Sequence, residues 1–146
     1  MTAIVRTTDV SAPHDVVWDV LADFGRLASW AHTVDHSCLI TEQPDGPGAA
    51  RRVQVGRAVL IERIVTWDPD TALGYQIEGL PGIVRSATNT WALAPTAAGT
   101  TVTLTTEVDC GPTPPQRLIA KAVARKLAEA SDGLIADLAR HLEDAS

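Results

Sequence analysis

The sequence predicts an α+β fold: a seven-stranded curved antiparallel sheet, two short helices after the first strand, and a long C-terminal helix over an apolar cavity. Three observations carry that expectation. Residues 11–30 (SAPHDVVWDVLADFGRLASW) hold a short amphipathic helical pattern, a glycine break and one further turn. From there to about Asp109 the chain is a succession of strand-like runs separated by Gly, Pro and Asp turns. Beyond the prolines at 112, 114 and 115, apolar residues recur at helical spacing almost to the end. Strands joined by short turns make an antiparallel meander. Such a sheet curls, and one helix cannot fill its concave face, so a cavity is expected between them.

Each element has a local reason. Ile4, Val5, Thr7, Thr8 and Val10 make residues 3–10 a strand. Ser11 reads as the N-cap of the first helix, with Pro13 in its first turn and Asp15 at the positive end of its dipole. Val17, Val20, Leu21 and Phe24 follow at helical spacing; Gly25 ends the run, and Arg26–Trp30 adds a turn. Residues 34–42 read as a strand and 43–49 (QPDGPGA) as a turn. Arg51–Val55 and Ala58–Trp67 flank Gly56 as a tight hairpin. Strands Leu73–Ile77, Val84–Ala94 and Thr101–Asp109 follow, separated by turns at 68–70, 79–82 and 95–99. The final helix carries a stripe of Ile119, Val123, Leu127, Ala130, Leu134, Leu138 and Leu142, opposite Lys121, Arg125, Glu129 and Asp132. Gly133 interrupts it at a cost of about 1 kcal/mol relative to Ala. It is either simply tolerated or marks where the helix bends or approaches a ligand.

At 146 residues the chain is expected to form a single domain, 1–146, large enough to fold without staples. A net charge of −6 with scattered cations argues against a nucleic-acid partner and against an anionic membrane surface. No apolar run approaches the roughly 20 residues of a membrane span, so no integral membrane contact is expected. Residues 1–10 lack the apolar core of a signal peptide, and Cys38 and Cys110 fit no metal or redox spacing. A cytoplasmic protein with reduced thiols is the expectation. No pair of histidines and no carboxylate cluster has metal spacing, and no cofactor is implied.

The chemistry candidates follow from strand periodicity. Arg51, Val53 and Val55 share one face of their strand, as Leu60, Glu62 and Ile64 do of theirs. Each charge therefore sits among apolar neighbours. It needs either an ionic partner or a wet cavity where it can anchor a ligand's oxygen atoms. His32 could move protons near neutral pH. Trp30, closing the short helical turn, is placed at the cavity mouth. Trp18, Trp67 and Trp91 read as packing, and no serine has a nucleophile-elbow context.

Taken in order, VVWDVLADFGRLASW, GPGAARRV (46–53), LIERIVTWD (60–68), Tyr75-Gln-Ile, Val84-Arg-Ser and Gly99-Thr-Thr-Val resemble the helix-grip proteins. These form the SRPBCC superfamily of polyketide cyclases/dehydrases and lipid-transport proteins, which includes START-like and birch-pollen-allergen-like domains. The resemblance runs over nearly the whole chain and implies a sheet gripping a C-terminal helix around an apolar pocket. A more distant resemblance to plant abscisic-acid receptors suggests which positions look inward. His32 falls where those receptors carry a pocket lysine, Arg51 matches their GxVR motif and Glu62 their ERL motif; Tyr75, Val84 and Ser86 match pocket positions. The receptor loops are replaced by Val55-Gly-Arg and Gly79-Leu-Pro-Gly, which speaks against a hormone-receptor role.

Fold does not dictate function, and three functions are weighed. The leading expectation is binding or transport of a small hydrophobic molecule, a lipid, polyketide or related metabolite. The second is a polyketide cyclase/aromatase or dehydratase-type enzyme using His32 and Glu62 as acid and base. The third is a protein-interaction module or homodimer. The candidate ligand-binding residues are Trp30, His32, Arg51, Val53, Glu62, Tyr75, Ile77, Val84, Ser86 and Leu127, with no catalytic residue and no metal ligand assigned.

Overall fold

The computed structural model describes residues 1–144. Ala145 and Ser146, the last two residues of the expected 1–146 domain, lie outside the described residues. The strands are β1 (Thr2–Val10), β2 (His36–Leu39), β3 (Ala50–Val55), β4 (Ala58–Asp68), β5 (Ala72–Glu78), β6 (Ser86–Thr96) and β7 (Gly99–Asp109). Helix α1 (His14–Ala22) and a 3₁₀ segment, Phe24–Ser29, follow β1, and α2 (Pro114–Asp144) closes the chain. The sheet is antiparallel throughout, in the order β1-β7-β6-β5-β4-β3-β2. The first two strands are thus its opposite edges, and α1 with the 3₁₀ segment carries the chain across one end of the concave face.

Period two explains the layers. Thr100, Val102, Leu104, Thr106 and Val108 of β7 are buried, and the residues between them are half-exposed. In β6 the inward set is Ala87, Asn89, Trp91 and Leu93. Aromatic edges lock the core: Trp18 meets Trp67 with ring centroids 5.0 Å apart, and Trp30 meets Trp91 at 6.3 Å.

Three local expectations are corrected. Ser11 does not cap α1: Pro13 holds the N-cap position with an extended backbone, and its carbonyl accepts from the N–H groups of Val16 and Val17. The link before the helix is occupied otherwise, since Thr100 Oγ1 donates to the carbonyl of Ala12 at 2.8 Å. The strand expected over 34–42 is only His36–Leu39, because Thr41 turns away to accept from the N–H of Ala50. The strand expected from Val84 begins at Ser86: Val84 closes a turn onto the Pro81 carbonyl.

The long helix differs more instructively. Thr113 and Gln116 form a capping box, Thr113 N–H donating to Gln116 Oε1 at 3.0 Å and Gln116 N–H to Thr113 Oγ1 at 3.4 Å. The buried face is Ala120, Ala124, Ala128, Ser131, Ile135, Asp137, Leu138 and Leu142; of the stripe that the sequence singles out, only Leu138 and Leu142 are buried. Ile119 is 38% exposed. The apolar arc is wider than one stripe. Its alanine seam lets the helix lie close on β1 and β7, whereas Leu127, Ala130 and Leu134 are turned toward the uncovered strands.

Candidate functional site

The register places Arg51 of β3 directly opposite Glu62 of β4. Both side chains point into the concave face, and both residues are buried, at 3% and 7% exposure. Arg51 Nε lies 2.8 Å and Nη2 2.7 Å from Glu62 Oε1. Nη1 donates to the carbonyl of Phe24 at 3.0 Å, and the guanidinium carbon stands 3.7 Å from the Phe24 ring centroid and 4.8 Å from that of Tyr75. The 3₁₀ segment therefore supplies a lid and an acceptor for the cation. The ion pair that the sequence left open is realised. Both contacts fall on Oε1; among the described residues no hydrogen-bond donor meets Oε2.

A second polar chain runs across β5, β6, β7 and α2. Asn89 Nδ2 donates to the Tyr75 hydroxyl at 3.3 Å, and Thr106 Oγ1 donates to Asn89 Oδ1 at 2.7 Å. Thr106 Oγ1 and Ser131 Oγ are 3.2 Å apart, and Ser131 Oγ also donates to the Leu127 carbonyl at 3.1 Å. Burial pushes the Tyr75 phenol up to about 12, with the nearby Glu62 charge adding to the rise. Tyr75 is thus a neutral phenol at physiological pH, and the chain is a fixed hydrogen-bonding frame.

Between these two clusters and α2 lies a cavity of about 310 Å³. Its inner wall is Leu27, Val34, Val53, Glu62, Ile77, Asn89 and Ser131; Leu60, Leu127 and Leu134 flank it, and the exposed Thr33, Val55, Glu129 and Ala130 form the rim. Of the residues expected to touch a ligand, Val53, Glu62, Ile77 and Leu127 line this cavity. Arg51 and Tyr75 stand one layer behind it, with Trp30, around a residual void of about 10 Å³.

Four expected positions lie elsewhere. Trp30 is buried at 5% exposure against Trp91, and its free edge borders a broad surface groove along α1 with Asp19, Asp23 and His141, not the cavity mouth. His32 is exposed, and only its backbone N–H is engaged, by Asp137 Oδ2 at 2.8 Å. Its imidazole is not among the cavity-lining groups, so His32 and Glu62 are not assembled as a pair. Val84 packs at the edge of the core from its turn, and Ser86 begins β6; neither lines the cavity.

Asn89, Ser131 and Asp137 escaped the reading of the sequence. Asn89 shares strand parity with Ala87, Trp91 and Leu93, and a polar residue at an inward position was the available signal. Ser131 lies on the buried helix face that the larger aliphatics concealed. Gly133 borders the cavity beside Thr33, where an added Cβ would stand 3.9 Å from Thr33 Cγ2, an ordinary contact. Packing against the protein therefore does not demand the glycine.

The fold recurs in solved structures. A Thermobifida fusca protein solved by NMR is 27% identical, with a TM-score of 0.75 over 97% of this chain and 93% of that one. The Zhui aromatase/cyclase of a Streptomyces species is 20% identical, with a TM-score of 0.77 over 97% and 93%. A START superfamily protein from Mycobacterium smegmatis is 14% identical, with a TM-score of 0.78 over 99% of both chains. These likenesses establish the helix-grip fold. No curated protein sequence matches the chain. The model of the family described as polyketide cyclase / dehydrase and lipid transport matches residues 1–143, so the chain belongs to that family.

Proposed function

We propose that the protein binds a small, mostly apolar molecule in the cavity between α2 and strands β3 to β5. The carrying observation is a cavity of about 310 Å³ with aliphatic walls and a few convergent buried polar groups, Glu62, Asn89 and Ser131. Ligand sites have this composition, and the volume is at the lower end of their usual range of about 300–1,000 Å³. The family's description as including lipid transport supports the same reading. Both cysteines are free thiols, Cys38 exposed and Cys110 buried, which suits a reducing compartment such as the cytoplasm. Native mass spectrometry after incubation with a panel of lipids and aromatic polyketides tests it. The expected result is a bound mass that disappears in Leu134→Trp, a variant that fills the cavity from its flank. A protein that stays empty, with no ligand-induced rise in melting temperature, sinks the proposal.

A second reading, acid–base chemistry on a polyketide, is favoured by one observation: a carboxylate with a free oxygen lines the cavity, with the Tyr75 phenol close behind. It assigns the proton-moving role to Glu62 without His32. Turnover of an aromatic polyketide precursor that is lost in Glu62→Gln, in a variant that circular dichroism shows to be folded at the assay temperature, would decide for this reading.

A further inference from the structure

We propose that the cavity selects ligands that present a hydrogen-bond donor, an O–H or N–H, at the buried end and carry no acid group, and that Glu62 sets this preference through Oε2. The inference rests on the cavity-binding reading above and specifies the ligand class.

The charges on the cavity wall are both negative. Glu62 stands on the inner wall and Glu129 at the rim, and no Lys, Arg or His is among the lining residues. Arg51 balances Glu62 from behind and is not among the lining residues, so it offers a bound acid no direct contact. It lies behind the cavity, with Nε and Nη2 on Glu62, Nη1 on the Phe24 carbonyl, and its planar face against the Phe24 and Tyr75 rings. A carboxylate ligand would pass Glu129 at the rim and set its own oxygens against the acceptor Oε2, with no cation among the lining residues to meet it.

Hydrogen accounting points the same way. The Thr106 hydroxyl proton goes to Asn89 Oδ1, and that of Ser131 goes to the Leu127 carbonyl or to Thr106. Ser131 is left with lone pairs to offer. Asn89 spends one N–H on Tyr75 and retains a second. The wall therefore presents Glu62 Oε2 and the Ser131 oxygen as acceptors, against one spare donor. A ligand without a donor would strip water from Oε2 and leave it unmet, which is the costly case for a buried polar atom. An alcohol, phenol or amine meets it.

Three probes with one ring system separate the alternatives: 1-naphthol, 1-naphthoate and 1-methylnaphthalene, titrated calorimetrically into the full chain near pH 7.5. The expected order is 1-naphthol at least tenfold tighter than either of the others. In Glu62→Gln the preference of naphthol over naphthoate shrinks at least tenfold. Because that variant alters the buried pair with Arg51, Glu129→Gln is the second arm. It leaves the pair intact, and is expected to relax the exclusion of naphthoate while keeping naphthol ahead of methylnaphthalene. Naphthoate or methylnaphthalene binding as tightly as naphthol overturns the donor preference and leaves cavity binding standing. Absence of binding by all three overturns cavity binding, and the preference with it.

Discussion

The two halves of the sheet are made of the same kind of sequence and end differently. Under α2, the inward residues of β7 and the alanine seam of the helix meet in a dry core, with Val102, Leu104, Val108, Ala124 and Leu138 at 0% exposure. On β3, β4 and β5 the inward residues alternate just as regularly, yet Val53, Leu60, Glu62 and Ile77 face empty space. The difference is the lateral position of one helix, which packs along β1 and β7. Alternation decides which side chains face inward. Whether inward means core or cavity is decided by what lies on top.

Arg51, behind the cavity wall, pairs with Glu62 on it and so ties the open half to the core, and the largest expected effect breaks the comparison there. Arg51→Ala leaves Glu62 buried without its partner and is expected to cost about 3–5 kcal/mol in denaturant unfolding. The double variant Arg51→Met with Glu62→Leu is expected to recover most of that loss, since apolar replacement of a buried pair is often neutral. Next comes a direct test of the two halves. Leu104→Ala, beneath the helix, should cost about 2–5 kcal/mol, whereas Leu60→Ala, which only widens an existing cavity, should cost about 1 kcal/mol. Equal costs would mean that the cavity is filled or collapsed in solution.

Alkaline pH sharpens the same boundary through Tyr75. Its phenol is raised from 10.0 to about 12 by burial, so between those values the unfolded chain has lost the proton and the folded one retains it. The unfolded state then binds fewer protons, and stability falls as pH rises through this window, by about 2–3 kcal/mol in all. Tyr75→Phe should flatten that slope in urea unfolding measured from pH 9 to 12. The smallest effect is Gly133→Ala, expected to raise stability by up to about 1 kcal/mol through helix propensity while narrowing the cavity beside Thr33. A gain in melting temperature together with weaker uptake of 1-naphthol is the expected pair of readings.

Much of this architecture was legible because it depends on local pattern. The threonines of β7 alternate with Val102 and Leu104, the hairpin turns at Gly56, and the prolines before Gln116 announce the helix. Strand parity turned Val53 inward, and parity together with the ERL match did so for Glu62; both line the cavity. Trp30 was placed at the cavity mouth because it closes the short helical turn, and His32 by its match to a pocket lysine; in the fold Trp30 closes on Trp91 and the His32 side chain is exposed. Asn89 and Ser131 matter through partners far along the chain, Asn89 bonding Tyr75 and Thr106 across neighbouring strands and Ser131 meeting Thr106. Parity marks such a residue as inward without saying what it meets. The face that α2 buries was misread for a related reason: size suggested Leu127 and Leu134, whereas close approach to a sheet selects alanine.

That seam has a consequence for cargo size. Ala120, Ala124 and Ala128 work as shims that set the height of the helix above β1 and β7, and a methyl is a thin shim. A bulkier side chain at Ala124 would tilt the lever formed by the 31 residues of α2 and lift Leu127 and Leu134 away from Ile77 and Leu60, at about 1–3 kcal/mol for overpacking. The chamber could then be resized from its hinge line, by residues that never touch what it holds.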